Sequence, residues 1–474
     1  MNLKNLFLAA GATLLVACGG GQHPSSGLGK GNDVPPPPTP VAVQPTTPDG
    51  ATPAAPKVEV SKDAKKDYKA AADAFDQADK AGWNEGSCRA SADRFSQVVR
   101  AHQELIIAQV MVGLSYERCG LLQDAEKAYQ SATHMKGDPT QIAVALSDLG
   151  DLYYKAGKLD GARQYWDSAI KANGKLQGAR IAVASLELEQ MRKLGYKDPQ
   201  WTKLDQDARF NLSNVLGVNT ENVDAYTVMG LIYLEGYQGN KGRLDLAKLS
   251  LDEAKKRNEK YAPLQNAFGL YYMRRAALNL ALQSFTAAVE VDPKFVEARV
   301  NVGQLTLSFR KYDTAKEMFG KAVELSPKNY DAYIGLGIAM RGLKDFDGAE
   351  AQFNKALQID GKQGDAYYDL AVLYKDFRAP KQQDLKASQD TYRKAKGYFQ
   401  TFLDKNAEAA DKAEAKEQIV VIDKTITQID NFMKAQAAMP PQPPAPPAGA
   451  PPAGAPPAGS PAPAGAPPAP APGK

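Results

Sequence analysis

The 474-residue sequence contains few of the residues from which catalytic and metal sites are built. It has three histidines and three cysteines, and no HExxH, CxxC, GxSxG or phosphate-binding P-loop motif. The glycine run at 19–21 lacks the flanking strand and helix that a phosphate-binding loop requires. The sequence therefore predicts a protein that is not an enzyme and that holds no metal ion or other cofactor.

Blocks of basic residues and long apolar runs are also missing. The net charge is +4, from 58 Lys and Arg against 54 Asp and Glu, and no basic cluster is dense enough to predict nucleic-acid binding. The apolar run from Leu6 to Val16 is about 11 residues long, whereas a membrane-spanning helix needs about 20. Following Lys4 and ending at Cys18, this run predicts an export signal over residues 1–18.

The end of this signal resembles the lipobox of bacterial lipoproteins, because Leu15-Val16-Ala17 directly precedes Cys18. The resemblance implies cleavage before Cys18 and acylation of its thiol and its new amine by fatty acids such as palmitate. Gly19, rather than aspartate, follows the cysteine, which in such lipoproteins implies an outer-membrane anchor facing the periplasm. An ordinary secretory signal with an incidental cysteine is the alternative.

The two ends of the remaining chain have biased compositions. Residues 19–60 are rich in Gly, Ser, Pro and Thr and contain few large apolar side chains, which predicts a disordered tether. Residues 439–474 consist almost entirely of Pro, Ala and Gly in a loose PPAGA repeat. This composition predicts an extended, solvated tail that is either a ligand for a proline-binding domain or a spacer.

A 34-residue repeat organises the chain between these ends. Five marker residues recur at this spacing, namely Gly269, Ala281, Phe285, Ala288 and Pro293, followed by Gly303, Ala315, Phe319, Ala322 and Pro327. Period and pattern identify the segment as a member of the tetratricopeptide (TPR) repeats, in which each unit is a pair of antiparallel helices. One unit cannot bury its own apolar face and must stack on its neighbours. The predicted fold is therefore all-α, a right-handed TPR solenoid.

About nine such units, some of them degenerate, are predicted over residues 61–405. Units one, four and nine depart most from the pattern, and extra residues occur at Gly195 to Pro199, at Gly236 to Gly242 and around Ala379-Pro380. Residues 406–438 carry apolar side chains at helical spacing, which predicts a helix that caps the last unit. A coiled-coil or partner-binding helix is the alternative for this segment.

Cys88 and Cys119 form a candidate disulfide. Cys88 is placed at the start of the second helix of unit one, and Cys119 at the end of the first helix of unit two. These helices are antiparallel neighbours in the predicted stack, and an exported chain enters a compartment where disulfides persist. The sequence therefore predicts a bridge between them, with two buried free thiols as the alternative.

The TPR resemblance also implies a partner-binding groove, because the first helices of such units line an inner face where partner peptides bind. The residues near each marker glycine of units five to eight are the candidates: Leu231, Leu234, Leu270, Met273, Leu307 and Ile338 as apolar residues, with Asn266, Arg274, Asn301, Gln304 and Arg341 as polar ones. An apolar groove with an amide and cationic rim suits an amphipathic or extended segment. Packing within a tightly wound superhelix is the alternative.

Taken together, the lipobox, the tether, the repeats and the PPAGA tail resemble the adventurous gliding-motility lipoproteins of myxobacteria. The resemblance implies a protein–protein interaction scaffold in an envelope machine, with periplasmic and outer-membrane proteins as partners and peptidoglycan nearby. Two alternatives stay open. One is a pilotin-like assembly factor for a type IV pilus secretin, and the other is a lipoprotein that binds the cell wall or activates a cell-wall enzyme.

Overall fold

The computed structural model describes residues 60–405 and 409–438. The predicted signal, Cys18, nearly all of the tether and the PPAGA tail lie outside the described residues. Within those two ranges the chain forms 19 α-helices and no strand. They are, in chain order, α1 (Lys62–Ala81), α2 (Glu85–Ala101), α3 (Ile106–Glu117), α4 (Leu122–His134), α5 (Pro139–Lys155), α6 (Leu159–Ala172), α7 (Gln177–Leu194), α8 (Pro199–Val218), α9 (Val223–Glu235), α10 (Arg243–Arg257), α11 (Ala262–Arg274), α12 (Leu278–Val291), α13 (Val296–Ser308), α14 (Tyr312–Leu325), α15 (Tyr330–Gly342), α16 (Phe346–Ile359), α17 (Asp365–Val372), α18 (Leu385–Asp404) and α19 (Ala409–Ala438).

The first 18 helices pair into nine antiparallel hairpins, which we number as units one to nine. Each second helix packs on its own first helix and on the first helix of the next unit. In most units, successive first helices also contact each other, whereas successive second helices scarcely touch. The first helices therefore line the inner face of the stack. The predicted all-α solenoid is confirmed.

The marker glycines let the two helices of a unit approach within contact distance of an aromatic ring. A Cβ atom on Gly269 would overlap the ring of Phe285, and one on Gly150 would overlap Trp166. Phe319 lies between two glycines, since a Cβ on Gly303 would be 2.8 Å from its ring and one on Gly335 closer still. Each ring is almost fully buried. The distance between the two helices is thus set by a glycine, which has no side chain, on one helix and by a large aromatic ring on the other helix.

In the regular units, the turn between the two helices contains a residue with a left-handed backbone conformation. In units two and three this position is Gly120 and Gly157, with φ of 70° and 76°. In units six to eight the same position, seven residues after the marker glycine, holds Ala276, Arg310 and Lys344, with φ of 54°, 57° and 66°. This conformation costs a residue with a Cβ about 1–2 kcal/mol. The stacking of the helices must therefore hold these three turns in place.

A half-buried arginine, Arg243, lies beside the extra residues of unit five. After α9, residues Gly236–Gln238 form a 3₁₀ turn, and a Cβ on Gly236 would overlap the side chain of Arg243. The Arg243 guanidinium pairs with Asp205 on α8 and lies 5.4 Å from the ring of Trp201 and 5.3 Å from that of Tyr233. This cluster ties the second helix of unit four to both helices of unit five.

The last unit ends irregularly. A π-helical segment, Leu373–Arg378, and a 3₁₀ turn, Ala379–Lys381, extend α17. The long helix α19 packs antiparallel to α18 and buries Ala415 and Ile422. Its Val420, Val421 and Phe432 stay 51%, 43% and 60% exposed, so the predicted apolar stripe is divided between a packed and a solvent-facing side. Within the part of the chain described above, no helix has the length and apolar character needed to cross a bilayer.

Candidate functional site: the inner face of the solenoid

A ladder of polar contacts joins the first helices of units two to five at the end of their last turns. Its members are the pair Glu117–Lys155, the hydrogen bond from Tyr154 to Glu189 at 3.1 Å, and the pair Arg192–Glu235 at 3.3 Å. Polar groups in this stretch of the inner face are therefore used to hold one unit against the next.

Three carboxylates gather beside this ladder on α3 and α5. Glu117, Asp148 and Asp151 surround the ammonium group of Lys155, and the indole of Trp166 donates a hydrogen bond to Asp151 at 2.8 Å. Burial raises the pKa of Asp151 to about 6 against the opposing charge of Lys155. Burial, together with the charges of Asp151 and Glu117, raises the pKa of Asp148 well above its usual range. Asp148 and Asp151 retain protons under mildly acidic conditions because they are buried and Lys155 only partly offsets this.

Glu187 on α7 is a second buried acid, with no exposed surface. Arg163 on α6 donates to its Oε1 atom at 2.9 Å, whereas its Oε2 atom has no hydrogen-bond partner among the residues that the structure describes. Burial raises the pKa of Glu187 to about 7, more than Arg163 lowers it. The ionised carboxylate is therefore less stable here than in the unfolded chain.

The buried carboxyl group of Glu187 should make the free energy of unfolding depend on pH. Since its pKa rises from an ordinary value of 4.5 to about 7 on folding, the folded state binds a proton that the unfolded state has lost. Stability then falls as pH rises between these two values, by about 3 kcal/mol if the full shift is realised. We expect Glu187→Gln to flatten the decline in the free energy of unfolding between pH 5 and pH 8, measured by urea denaturation. The exposed control Glu85→Gln should keep the wild-type slope, and equal slopes in all three proteins would refute the assignment.

The structure corrects the predicted groove at six of its eleven positions. Leu231, Leu234, Leu307, Asn266, Asn301 and Arg341 are all at most 9% exposed. The leucines belong to the core between units. The Asn301 amide donates to Asn266 at 2.8 Å, and Arg341 donates to Asp369 at 2.8 Å. The prediction that these last residues form a rim is wrong, because successive first helices come close enough to use them as contacts.

The other five predicted residues remain accessible. Leu270, Met273, Arg274, Gln304 and Ile338 are half-buried on α11, α13 and α15, the first helices of three consecutive units. We call them the inner patch. Burial lowers the pKa of Arg192 despite the opposing charge of Glu235, and the nearby charge of Arg274 lowers it further. Arg274 itself forms no ion pair with any residue in the described ranges. The inner patch is thus apolar with an uncompensated cation.

Cys88 and Cys119 lie where the sequence placed them, at the start of α2 and the end of α3. Their Cα atoms are 6.3 Å apart and their sulfur atoms are bonded in the structure, at a separation that a disulfide spans. Cys88 is fully buried. The bridge in the exported protein stays a prediction.

Two segments of the chain match the tetratricopeptide repeat family, residues 142–176 and residues 306–371. They coincide with the helical hairpin α5–α6 and with the run from the end of α13 to α17. The chain contains tetratricopeptide repeats. A stack of such units typically provides a non-catalytic surface on which other proteins bind.

Individual proteins are similar only in part. Protein O-mannosyl-transferase TMTC1 of Homo sapiens is 23% identical over 206 residues, which are 44% of this chain and 21% of that protein. This chain therefore spans about a fifth of that relative.

Three solved structures match parts of this chain. The TPR protein TTC0263 of Thermus thermophilus has a TM-score of 0.36 at 24% identity, over 42% of this chain and 99% of that one. Pseudomonas aeruginosa pilF has a TM-score of 0.37 at 15% identity, over 50% of this chain and 99% of that one. A tetratricopeptide repeat protein of Parabacteroides merdae has a TM-score of 0.35 at 16% identity, over 59% of this chain and 98% of that one.

Proposed function

We propose that this protein is a non-catalytic scaffold that holds another protein against its inner patch. The observation that supports the proposal is the partial exposure of apolar side chains on α11 and α15, with the amide of Gln304 on α13 between them, where most neighbouring side chains are buried. Leu270 and Met273 lie one turn apart on α11, and Ile338 lies two units further along. A surface of this kind gains free energy when a partner covers it, at about 25 cal/mol per Å² of apolar area.

The chemistry of the inner patch defines the partner segment. Methionine adapts to varied apolar shapes, and the amide of Gln304 can both donate and accept hydrogen bonds. Arg274 favours an acidic group, since a guanidinium binds a carboxylate with two parallel hydrogen bonds. The fitting partner is thus an amphipathic or extended protein segment with apolar side chains and an acidic residue beside them.

We further propose that the scaffold is anchored in the outer membrane and faces the periplasm. The support is the lipobox at Leu15-Val16-Ala17-Cys18, followed by Gly19. Each buried methylene of an acyl chain contributes about 0.8 kcal/mol to membrane binding, so acylation of both the thiol and the amine of Cys18 gives firm anchoring. The order of lipobox, tether, repeats and tail resembles the gliding-motility lipoprotein GltE (AglT) of myxobacteria. On this resemblance, the partners are envelope proteins of a gliding machine.

The inner patch is tested by paired substitutions in the full chain. We expect Leu270→Glu with Ile338→Glu to lower partner capture from crosslinked, detergent-solubilised envelopes at least about tenfold, as loss of a central apolar anchor does. The matched control is Leu249→Glu with Leu280→Glu, which alters two leucines that are 60% and 45% exposed on the outer helices α10 and α12. Circular dichroism should show unchanged helicity in both pairs.

Equal capture by the two double variants would refute the inner patch as the binding surface. Sedimentation of the purified protein with peptidoglycan alone would favour the cell-wall-binding alternative instead. The variant Cys18→Ala separates anchoring from binding, since it should release the protein from the membrane fraction and leave capture in detergent unchanged.

A further inference from the structure

A cleft of about 310 Å³ lies where unit eight meets the π-helical segment of unit nine. Phe346 at the start of α16 and Phe377 in the π-helical segment form its aromatic floor, with ring centroids 5.3 Å apart and planes inclined at 38°. Both rings are half-buried. π-helical segments are rare, but those that occur often lie at functional sites. The cleft shares no lining residue with the inner patch.

The rim of the cleft offers hydrogen-bond donors. Lys344, Lys381 and Gln382 are exposed, and the Lys381 ammonium lies 4.1 Å from the centre of the Phe346 ring. The acidic lining residues are already engaged, since Asp345 accepts the amide hydrogen of Gly348 and Asp347 pairs with Arg378. The fitting ligand therefore brings apolar rings and acceptor oxygens and few N–H donors. Proline-rich chain has this chemistry, because proline lacks the backbone N–H and packs on aromatic grooves.

The antiparallel packing of α18 and α19 brings such a chain to this place. Gln389 donates to Asp430, and Lys396 pairs with Asp423 at 2.7 Å. Moving seven residues forward along α18, from Gln389 to Lys396, therefore moves seven residues back along α19, from Asp430 to Asp423. This register places Lys434 beside Leu385, the first residue of α18, so the last four residues of α19 extend beyond the end of α18 that follows the Ala379–Lys381 turn at the rim of the cleft. The 36 residues that follow begin at that edge of the protein.

We propose that the proline-rich segment beginning at Pro440 binds in this cleft, across Phe346 and Phe377 of the same chain. The segment reads Pro440-Pro441-Gln442-Pro443-Pro444 and carries no charge before Lys474. Polyproline chain advances about 3.1 Å per residue, so a few residues suffice to cross the floor. A short connection also gives a millimolar effective concentration, which lets a weak contact form within one chain.

The test uses a photoreactive benzophenone side chain at position 382 of the full-length protein. Trypsin releases residues 435–474 as one peptide, because no Lys or Arg lies between Lys434 and Lys474, so an adduct with the tail is identified by its mass. The matched control carries the probe at position 316, an exposed site on the distant helix α14. We expect the tail adduct in monomeric product, at about ten times the yield of the control position.

A second variant keeps the folded repeats intact. Pro440→Ser, Pro441→Ser, Pro443→Ser and Pro444→Ser together should reduce the adduct at position 382 to the level of the control, while helicity stays the same. Equal yields from positions 382 and 316 would overturn the proposal, as would an adduct that survives the four serine substitutions. An adduct that joins two chains would also overturn it, because the occupant would then be the tail of a second copy.

Discussion

Replacing Phe319 by alanine is expected to lower the free energy of unfolding by about 3–5 kcal/mol, the usual cost of deleting a large aromatic side chain from a core. The ring has no exposed surface and lies between Gly303 of its own unit and Gly335 of the next. Since both glycines leave a space that only this ring fills, the neighbouring helices cannot close the cavity without shifting a whole unit. The substitution should mainly weaken the contact between units seven and eight.

The matched control for this substitution is Phe210→Ala. Phe210 is also a phenylalanine inside a second helix, α8, but it is 65% exposed, so its loss should change stability by no more than about 0.5 kcal/mol. Because repeat stacks can unfold unit by unit, urea denaturation should be combined with hydrogen exchange of α13 to α15. Comparable effects of the two substitutions would contradict the packing described here.

Loss of the disulfide between Cys88 and Cys119 is expected to cost about 3–4 kcal/mol, the chain-entropy value for a loop of this size, 31 positions in sequence. The bridge joins the second helix of unit one to the first helix of unit two. Unit one is a terminal unit with only one neighbour, so the loss should be local. We expect Cys88→Ala with Cys119→Ala to speed hydrogen exchange in α1 to α3 and to leave α12 to α16 unchanged.

Peptide mass spectrometry without reduction provides the direct check of this bridge. The exported wild-type protein should yield one cross-linked peptide pair containing Cys88 and Cys119, and treatment with a thiol reductant should reproduce the local effect of the double variant. Two cysteines that alkylate in the native, unreduced protein would exclude the bridge.

Much of the fold was predictable because its determinants are local in sequence. The spacing of Gly269, Ala281 and Phe285 specifies both helices of a unit and the distance between them, and the same marks recur in the next unit. The proximity of Cys88 and Cys119 follows from the antiparallel order of adjacent helices, while the bridge between them stays a prediction. The left-handed turns at Ala276, Arg310 and Lys344 could not be predicted from the sequence, because those residue types rarely adopt this conformation.

The candidate site was predictable only in part, because the winding of the stack is not local. The position of Asn266 or Arg341 on a first helix indicates the side it faces, but its burial depends on how closely the next unit approaches. That approach is the sum of many small rotations between units. Likewise, the insertion around Ala379-Pro380 marked an irregularity, whereas the cleft it forms with Phe346 depends on side chains 31 or more residues away.

The central claim is that a partner protein lies against the inner patch, and site-specific photocrosslinking in intact cells tests it most directly. A benzophenone side chain would replace Leu270 on the inner helix α11, and in a second strain it would replace Glu317, which is exposed on the outer helix α14. We predict a discrete protein adduct from position 270 that is absent from position 317 and is lost when Ile338→Glu is added. Adducts of equal yield from both positions, or from position 317 alone, would contradict the account.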